Sequence, residues 1–262
     1  MPDFTLETYK SLLLILQKER YTFMTFEQYC QQQPEPDSRV VVLRHDVDLK
    51  AANSAQTAVL ESELGIKASY YFRIIKESAV PEVMNLVTAF GHELGYHYED
   101  MTLAEGDKEK AYWLFKEHLE FFRHFYPVKT ICMHGAPTSA YDGRDLWRDG
   151  YDYHQDGIIG EPYFDMDFDK AMYLTDTGRR WDGYQVSLRD KVPQQERWIQ
   201  EELTFHSTED IIRWLKQCQP KTNIMITTHP QRWSDDTLEW LSEYISQTIK
   251  NTIKRILVWA KG

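Results

Sequence analysis

Four short runs in the 262-residue chain hold side chains that can bind a metal ion or move a proton: His45-Asp46-Val47-Asp48, His97-Tyr98-Glu99-Asp100, Met133-His134-Gly135 and Thr228-His229-Pro230. Strand alternation sends Arg44, Asp46 and Asp48 to one side and His45 and Val47 to the other, so two carboxylates face one cavity. One can ligate a metal while the other takes a proton. A cation relieves their mutual repulsion, and Arg44 on the same side favours their charged forms. His134 precedes Gly135, which permits close backbone approach, and His229 ends Ile224-Met225-Ile226-Thr227-Thr228 before Pro230 stops the strand. Each run also has a plainer reading. An Asp-rich strand end turns the chain or caps the next helix, and a histidine behind an apolar strand is commonly a satisfied core residue. What sets the four apart is their shared place at strand ends, where gathered histidines and carboxylates make a metal site with an open position.

Other histidines carry less. His92-Glu93-Leu94-Gly95-Tyr96-His97 has one residue too many for the H-E-x-x-H pattern of zinc peptidases. On a helix five steps leave the two rings apart, and on a strand positions 92 and 97 have opposite parity, so only His97 should face a site. His118 and His124 sit on or near a helix with no polar companion at ligand spacing and read as structural. Trp181, Trp233 and Tyr163 could stack on a sugar, but core packing is the better reading for any single aromatic residue.

The elements that must position these residues alternate. Strands are predicted over 40–47, 67–75, a run ending near His97, 128–134, 157–160, 171–175, 185–188 and 223–229. Helices fall between them. Ala52, Ala55 and Val59 recur at helical spacing until Gly65, and Pro81 opens a helix with Val83, Leu86, Val87 and Phe90 that Gly91 closes. Ala111, Leu114, Phe115, Leu119 and Phe122 mark another. Ser207 and Asp210 form a capping box ahead of Ile211, Trp214 and Leu215, and a last helix bears Leu238, Leu241 and Ile245. Ahead of them, Leu6, Tyr9, Leu13 and Leu16 define a helix that packs on the body, followed by a linker-like stretch over 31–38. The organisation predicted is one α/β domain over 1–262, with 1–38 as an N-terminal helical extension. Alternation of this kind means a parallel sheet with helices outside, either a barrel or an open doubly wound sheet, and places chemistry at the strands' C-terminal ends.

Bulk properties exclude some partners. Hydrophobic residues at 42% and charged residues at 27% are ordinary for a globular protein. A net charge of −11 disfavours nucleic acid and acidic membranes, and an anionic substrate would need a local basic pocket. Cys30, Cys132 and Cys218 form no C-x-x-C pair and are expected as buried thiols in a reducing, cytoplasmic setting. The apolar run 12–16 is too short for a membrane span.

In these motifs the chain resembles the polysaccharide deacetylase family, carbohydrate esterase family 4, and in particular its intracellular relatives linked to surface-polysaccharide synthesis. The matching pieces are Leu43-Arg44-His45-Asp46-Val47-Asp48, Gly91-His92-Glu93-Leu94-Gly95-Tyr96-His97, Cys132-Met133-His134-Gly135 and Thr228-His229-Pro230, which in order and spacing span about residues 40–233. The resemblance implies a distorted barrel of seven or eight β/α units. It also implies a base carboxylate at Asp46, a metal carboxylate at Asp48, a metal histidine at His97 and a general acid at His229. The implied activity is hydrolysis of an N-acyl, above all N-acetyl, group from an amino sugar or glycan precursor, with a divalent metal such as Zn²⁺. Two departures stand out. The family's second metal histidine is Met101 here, and a thioether is a poor ligand for a hard site, so either the third ligand comes from elsewhere, His134 or else Glu99, or the metal is absent. The family's Arg-Pro-Pro-Tyr motif is missing, which leaves the residue that tunes the base unassigned, with Arg44 nearby. Other readings on the same fold are hydrolysis of another non-peptide C–N bond and a non-catalytic sugar-binding subunit.

Overall fold

The run Val40–Val47 (β2) is buried along its whole length, so it reads as continuous Val and Leu rather than as an alternating strand. That is the mark of a strand covered on both faces, and the sheet around it is entirely parallel. The structure is a computed structural model that describes residues 2–148, 150–183, 187 and 189–261.

Besides β2 the sheet contains β1 (Thr22–Met24), β3 (Ser69–Phe72), β4 (Glu93–Tyr98), β5 (Ile131–Met133), β6 (Ala171–Thr175) and β7 (Asn223–Thr228). The spatial order is β5-β4-β3-β2-β7-β6, with β1 alongside β2. Read from β6, the order is 6-7-2-3-4-5, a cyclic shift of chain order with every step in one sense. A doubly wound sheet would reverse direction at a switch point. The sheet is therefore singly wound and curls as a half-barrel, and no strand pair joins β5 to β6 among the described residues.

The helices are α1 (Leu6–Lys18), α2 (Phe26–Gln32), α3 (Ala51–Glu63), α4 (Pro81–Ala89), α5 (Asp100–Leu103), α6 (Lys108–Arg123), α7 (Pro162–Asp165), α8 (Gln195–Gln200), α9 (Thr208–Cys218) and α10 (Thr237–Lys261). The predicted punctuation is present. Gly65 and Gly91 take φ of 69° and 79° just past α3 and α4, Pro81 opens α4, and Ser207 and Asp210 form the capping box of α9.

Several boundaries differ from expectation. The strands expected over 67–75 and 128–134 shrink to four and three residues, and 157–160 forms only a single bridge, Gly160 to Thr130. The strand expected at 185–188 lies outside the described residues, Ser187 excepted. The segment 1–38 is not wholly helical. Its three-residue β1, too short to show a period, pairs with β2. Of the cysteines only Cys132 is buried; Cys30 is half-buried and Cys218 exposed, and all three are free thiols. No helix among the described residues is long and apolar enough to cross a membrane.

Strand parity divides the polar residues between two layers. Outside the sheet, His45 Nδ1 meets Thr228 Oγ1 at 2.7 Å and its Nε2 meets Glu61 Oε1 at 2.7 Å, while Tyr9 and Tyr70 donate to the same carboxylate at 2.6 and 2.8 Å. Glu61 is fully buried and needs all of these partners. Inside the curl lie Arg44, Asp46, Ser69, Tyr71, Glu93, His97 and Cys132, in register across β2, β3, β4 and β5, with Thr130 just ahead of β5 bonded to Tyr71 and Glu93. Gly95 occurs there for a steric reason: a Cβ would stand 2.4 Å from the Tyr71 ring.

Candidate active site

Four strands deliver five of the predicted residues to one small cleft of about 90 Å³. Asp46 is the last residue but one of β2 and Asp48 follows the strand; His97 lies on β4, His134 follows β5 and His229 follows β7. All five line the cleft, with Tyr163, Thr177, Arg189, Asp190 and Arg232 around them.

Asp48 is the hub. Its Oδ1 lies 3.5 Å from His97 Nε2 and 3.6 Å from His134 Nε2, and its Oδ2 lies 3.7 Å from His229 Nε2. Burial alone would push the Asp48 carboxyl up, but His134, His97 and His229 together hold it well below the usual carboxylate range. Oδ1 is buried and has no hydrogen-bond partner. Such an orphan needs an explanation.

Each imidazole is fixed from behind. His97 Nδ1 donates to the Cys132 carbonyl at 2.9 Å, His134 Nδ1 to Glu99 at 2.8 Å and His229 Nδ1 to Asp176 at 2.6 Å. Donation through Nδ1 sets the tautomer that leaves the Nε2 lone pairs of His97 and His134 free for a metal, the outer-shell pattern of metal-binding histidines. Glu99 is in turn gripped by Arg73 Nε and Nη2, both at 2.9 Å, and Arg73 Nη1 reaches the Asp48 carbonyl at 3.4 Å. Glu99 thus stands behind His134 as its orienting partner. Asp176 accepts from the His229 amide at 3.0 Å, from Arg232 at 2.5 Å and from the Trp233 indole at 2.7 Å. Burial raises its carboxyl, but Arg232 and His229 outweigh this and keep it ionised.

Arg44 lies below the cleft floor and clamps Asp46 with two parallel bonds, Nε to Oδ1 at 2.8 Å and Nη2 to Oδ2 at 2.6 Å. Its guanidinium stands over the Tyr163 ring, 5.3 Å from the centroid. Burial opposes the charge on Arg44, and Asp46 more than restores it. His97 Nε2 also lies 3.7 Å from Asp46 Oδ2.

A buried group of Asp46, His97 and Cys132, with ligand atoms within 4.8 Å of one another, can hold a metal ion. His97 belongs to both this group and the Asp48 cluster.

Other predictions separate cleanly. Met101 is buried in the core on α5. His92 accepts from the Ala68 amide and meets the Ala58 carbonyl, away from the cleft, and His118 binds Asp100 at 2.7 Å. Trp181 and Trp233 pack with Phe4 in the core, whereas half-buried Tyr163 does line the cleft. Sequence reasoning missed Asp176, Arg73, Asp190 and Arg189. Asp176 carried the same signal as the others, a carboxylate directly after a predicted strand. Asp190 carried none, yet it accepts hydroxyls from Tyr163, Tyr173, Thr175 and Thr177 and is held down to about 2, burial being outweighed by Arg44 and these bonds. Arg189 bonds the carbonyls of Gly135, Ala136 and Ser139 and so pins the loop that carries His134.

Fold and site define a singly wound parallel α/β protein with a polar cleft at the strands' C-terminal ends and a buried Asp46-His97-Cys132 group that could hold a metal. No protein-family model matches the chain, and no curated protein matches it either.

Proposed function

We propose that this cleft is the active site of a metal-dependent hydrolase that removes an N-acyl group, acetyl above all, from an amino sugar. The observation that carries the reading is the ring of three imidazole Nε2 atoms, 3.5–3.7 Å from the Asp48 carboxylate, each fixed through Nδ1. Tetrahedral arms of about 2.0–2.1 Å put neighbouring ligand atoms ~3.3 Å apart. The Asp48–His97 and Asp48–His134 separations of 3.5 and 3.6 Å are close to that edge, and the orphaned Asp48 Oδ1 sits between them.

Asp48, His97 and His134 are therefore favoured over Asp46, His97 and Cys132 as the metal ligands. Arg44 already engages both Asp46 oxygens, and burial pushes the Cys132 thiol well up, so it stays protonated and ligates poorly. The histidine and carboxylate donors suit Zn²⁺, which when bound would supply Lewis acidity and a water of lowered pKa.

The remaining chemistry belongs to the chain. Asp46 accepts the proton of the attacking water. Arg44 fixes the carboxylate plane, and each oxygen keeps a second lone pair for the cleft. His229 returns a proton from Nε2 to the departing nitrogen, while Asp176, itself held by Arg232, fixes its ring. A volume of about 90 Å³ takes an acyl group and a water or two, so the sugar ring itself must lie at the mouth.

Acetate release from N-acetylglucosamine oligomers by zinc-loaded protein tests the reading. Asp46→Asn should keep its zinc and lose roughly 10²–10⁴-fold in kcat. Sugar binding without acetate release by the wild type would point to a binding subunit, and undiminished release in excess chelator would remove the metal.

A further inference from the structure

The helix α10 carries its aliphatic residues on the side turned away from the body. Leu238, Leu241, Ile245, Ile249 and Ile253 are 45–78% exposed. Steps of three and four residues keep them within an arc of about 120°, at 100° per residue. The opposite side of the helix holds the body, and it does so with polar groups. The Trp240 indole donates to the Asp3 carbonyl at 2.8 Å, Asn251 donates to the Gly178 carbonyl at 2.7 Å, and Gln247, between them in sequence, is buried. Elsewhere in the described chain exposed large apolar residues such as Leu14, Trp113 and Ile199 stand singly on separate helices. Single residues of that kind are ordinary, whereas a continuous stripe marks a surface that is covered.

We propose that two copies of the chain pair through this stripe, α10 against α10, antiparallel about a twofold axis that passes between Ile245 and Ser246.

The stripe suits its own copy. With the axis midway along it, Leu238 of one copy meets Ile253 of the other and Leu241 falls beside Ile249, the isologous contact of a two-fold dimer. Glu243 and Lys250 share one flank of the helix, and a twofold axis across the pair keeps that flank on the same side in both copies. Antiparallel crossing then brings Lys250 of one copy within about one turn of Glu243 of the other, twice in the dimer. A parallel pair would instead set Glu243 beside Glu243 and Lys250 beside Lys250, so the charges choose the direction. The residues bordering the stripe, Ser242, Ser246, Thr248 and Thr252, are small and neutral, which lets two helices approach closely. A helix lying on an anionic membrane would carry Lys or Arg in those places, and a net charge of −11 opposes that surface further.

The run from Leu238 to Ile253 is about 22 Å long at 1.5 Å per residue, shorter than a standard interface, so dissociation in the micromolar range is expected. Sedimentation across that range should show a monomer–dimer equilibrium. Leu241→Glu and Ile249→Glu should each weaken it at least tenfold; both positions are exposed, so the far-UV spectrum should not change.

Cysteine cross-linking reads the geometry without disrupting the stripe, in a Cys218→Ser background that removes the exposed native thiol. Ser246→Cys, beside the axis, should form a disulfide with its own copy. Leu238→Cys should not, but should cross-link when mixed with Ile253→Cys. A wild type that stays monomeric, a dimer that survives both Glu variants, or Leu238→Cys joining to itself overturns the proposal. So does a monomer that binds phosphatidylglycerol vesicles through the stripe, which would give this face to a membrane.

Discussion

Asp48 Oδ1 and His134 Nε2 stand 3.6 Å apart, although their strands β2 and β5 are separated in the sheet by β3 and β4. Three steps of about 4.8 Å would part those strand ends by ~14 Å in a flat sheet. Only the curl brings the two side chains together, and with them the polar ends of β4 and β7.

If this pair ligates the metal, His134→Ala should lose most of the bound zinc and Met101→Leu should lose none. Elemental analysis after gel filtration reads both. Equal loss in the two variants would refute the assignment of His134 as third ligand.

Arg73 and Glu99 act on the same ligands from behind, one through the other. Glu99→Ala and Arg73→Met should each weaken zinc affinity roughly 10–100-fold, the usual cost of losing an orienting partner. Competition with a chromogenic chelator measures it. Unchanged affinity in both would show that His134 holds its orientation without them.

The acid assignment makes a leaving-group prediction. His229→Ala should cut hydrolysis of an N-acetyl amine by roughly 10²–10⁴-fold and that of an activated aryl acetate far less, because a phenolate departs unprotonated. Asp176→Asn should follow the same pattern more mildly. Equal impairment on amide and ester would mean that His229 holds the site together instead of donating the proton.

Glu161 gives a pH signature in stability. It is fully buried, accepts the amides of Met133 at 3.0 Å and Tyr163 at 2.6 Å, and burial raises its carboxyl to about 7 against these bonds and Arg44. The folded state therefore binds this proton more tightly than the unfolded state, so its stabilising contribution is full below pH ~4.5 and lost as pH climbs to about 7. The loss is on the order of 3 kcal/mol. Urea unfolding at pH 5 and 7.5 should show the gap between wild type and Glu161→Gln shrinking with pH. A gap independent of pH would exclude the assignment.

Gly95→Ala should destabilise by about 1–3 kcal/mol through overpacking, since its Cβ meets the Tyr71 ring at 2.4 Å. A Tyr71→Leu background should reduce that penalty. If thermal unfolding shows the same cost in both backgrounds, backbone rather than ring contact is responsible.

The local signals in the sequence were enough for a large part of this picture. Gly65, Gly91, Pro81 and the Ser207–Asp210 box mark helix ends because capping is a matter of a few adjacent residues. Parity alone sent Arg44 and Asp46 inwards and His45 outwards, since a strand's side chains alternate whatever it pairs with. Strand β1 was too short to show a period, and the barrel-like winding rather than a doubly wound sheet depends on which strands pair, a non-local choice. The same holds within the cleft. That Asp48 is the hub, that Glu99 stands behind His134, and that Asp176, Arg73 and Asp190 take part were decided by how far the sheet curls. Distances between strand ends are a property of that curvature, which no run of adjacent residues encodes.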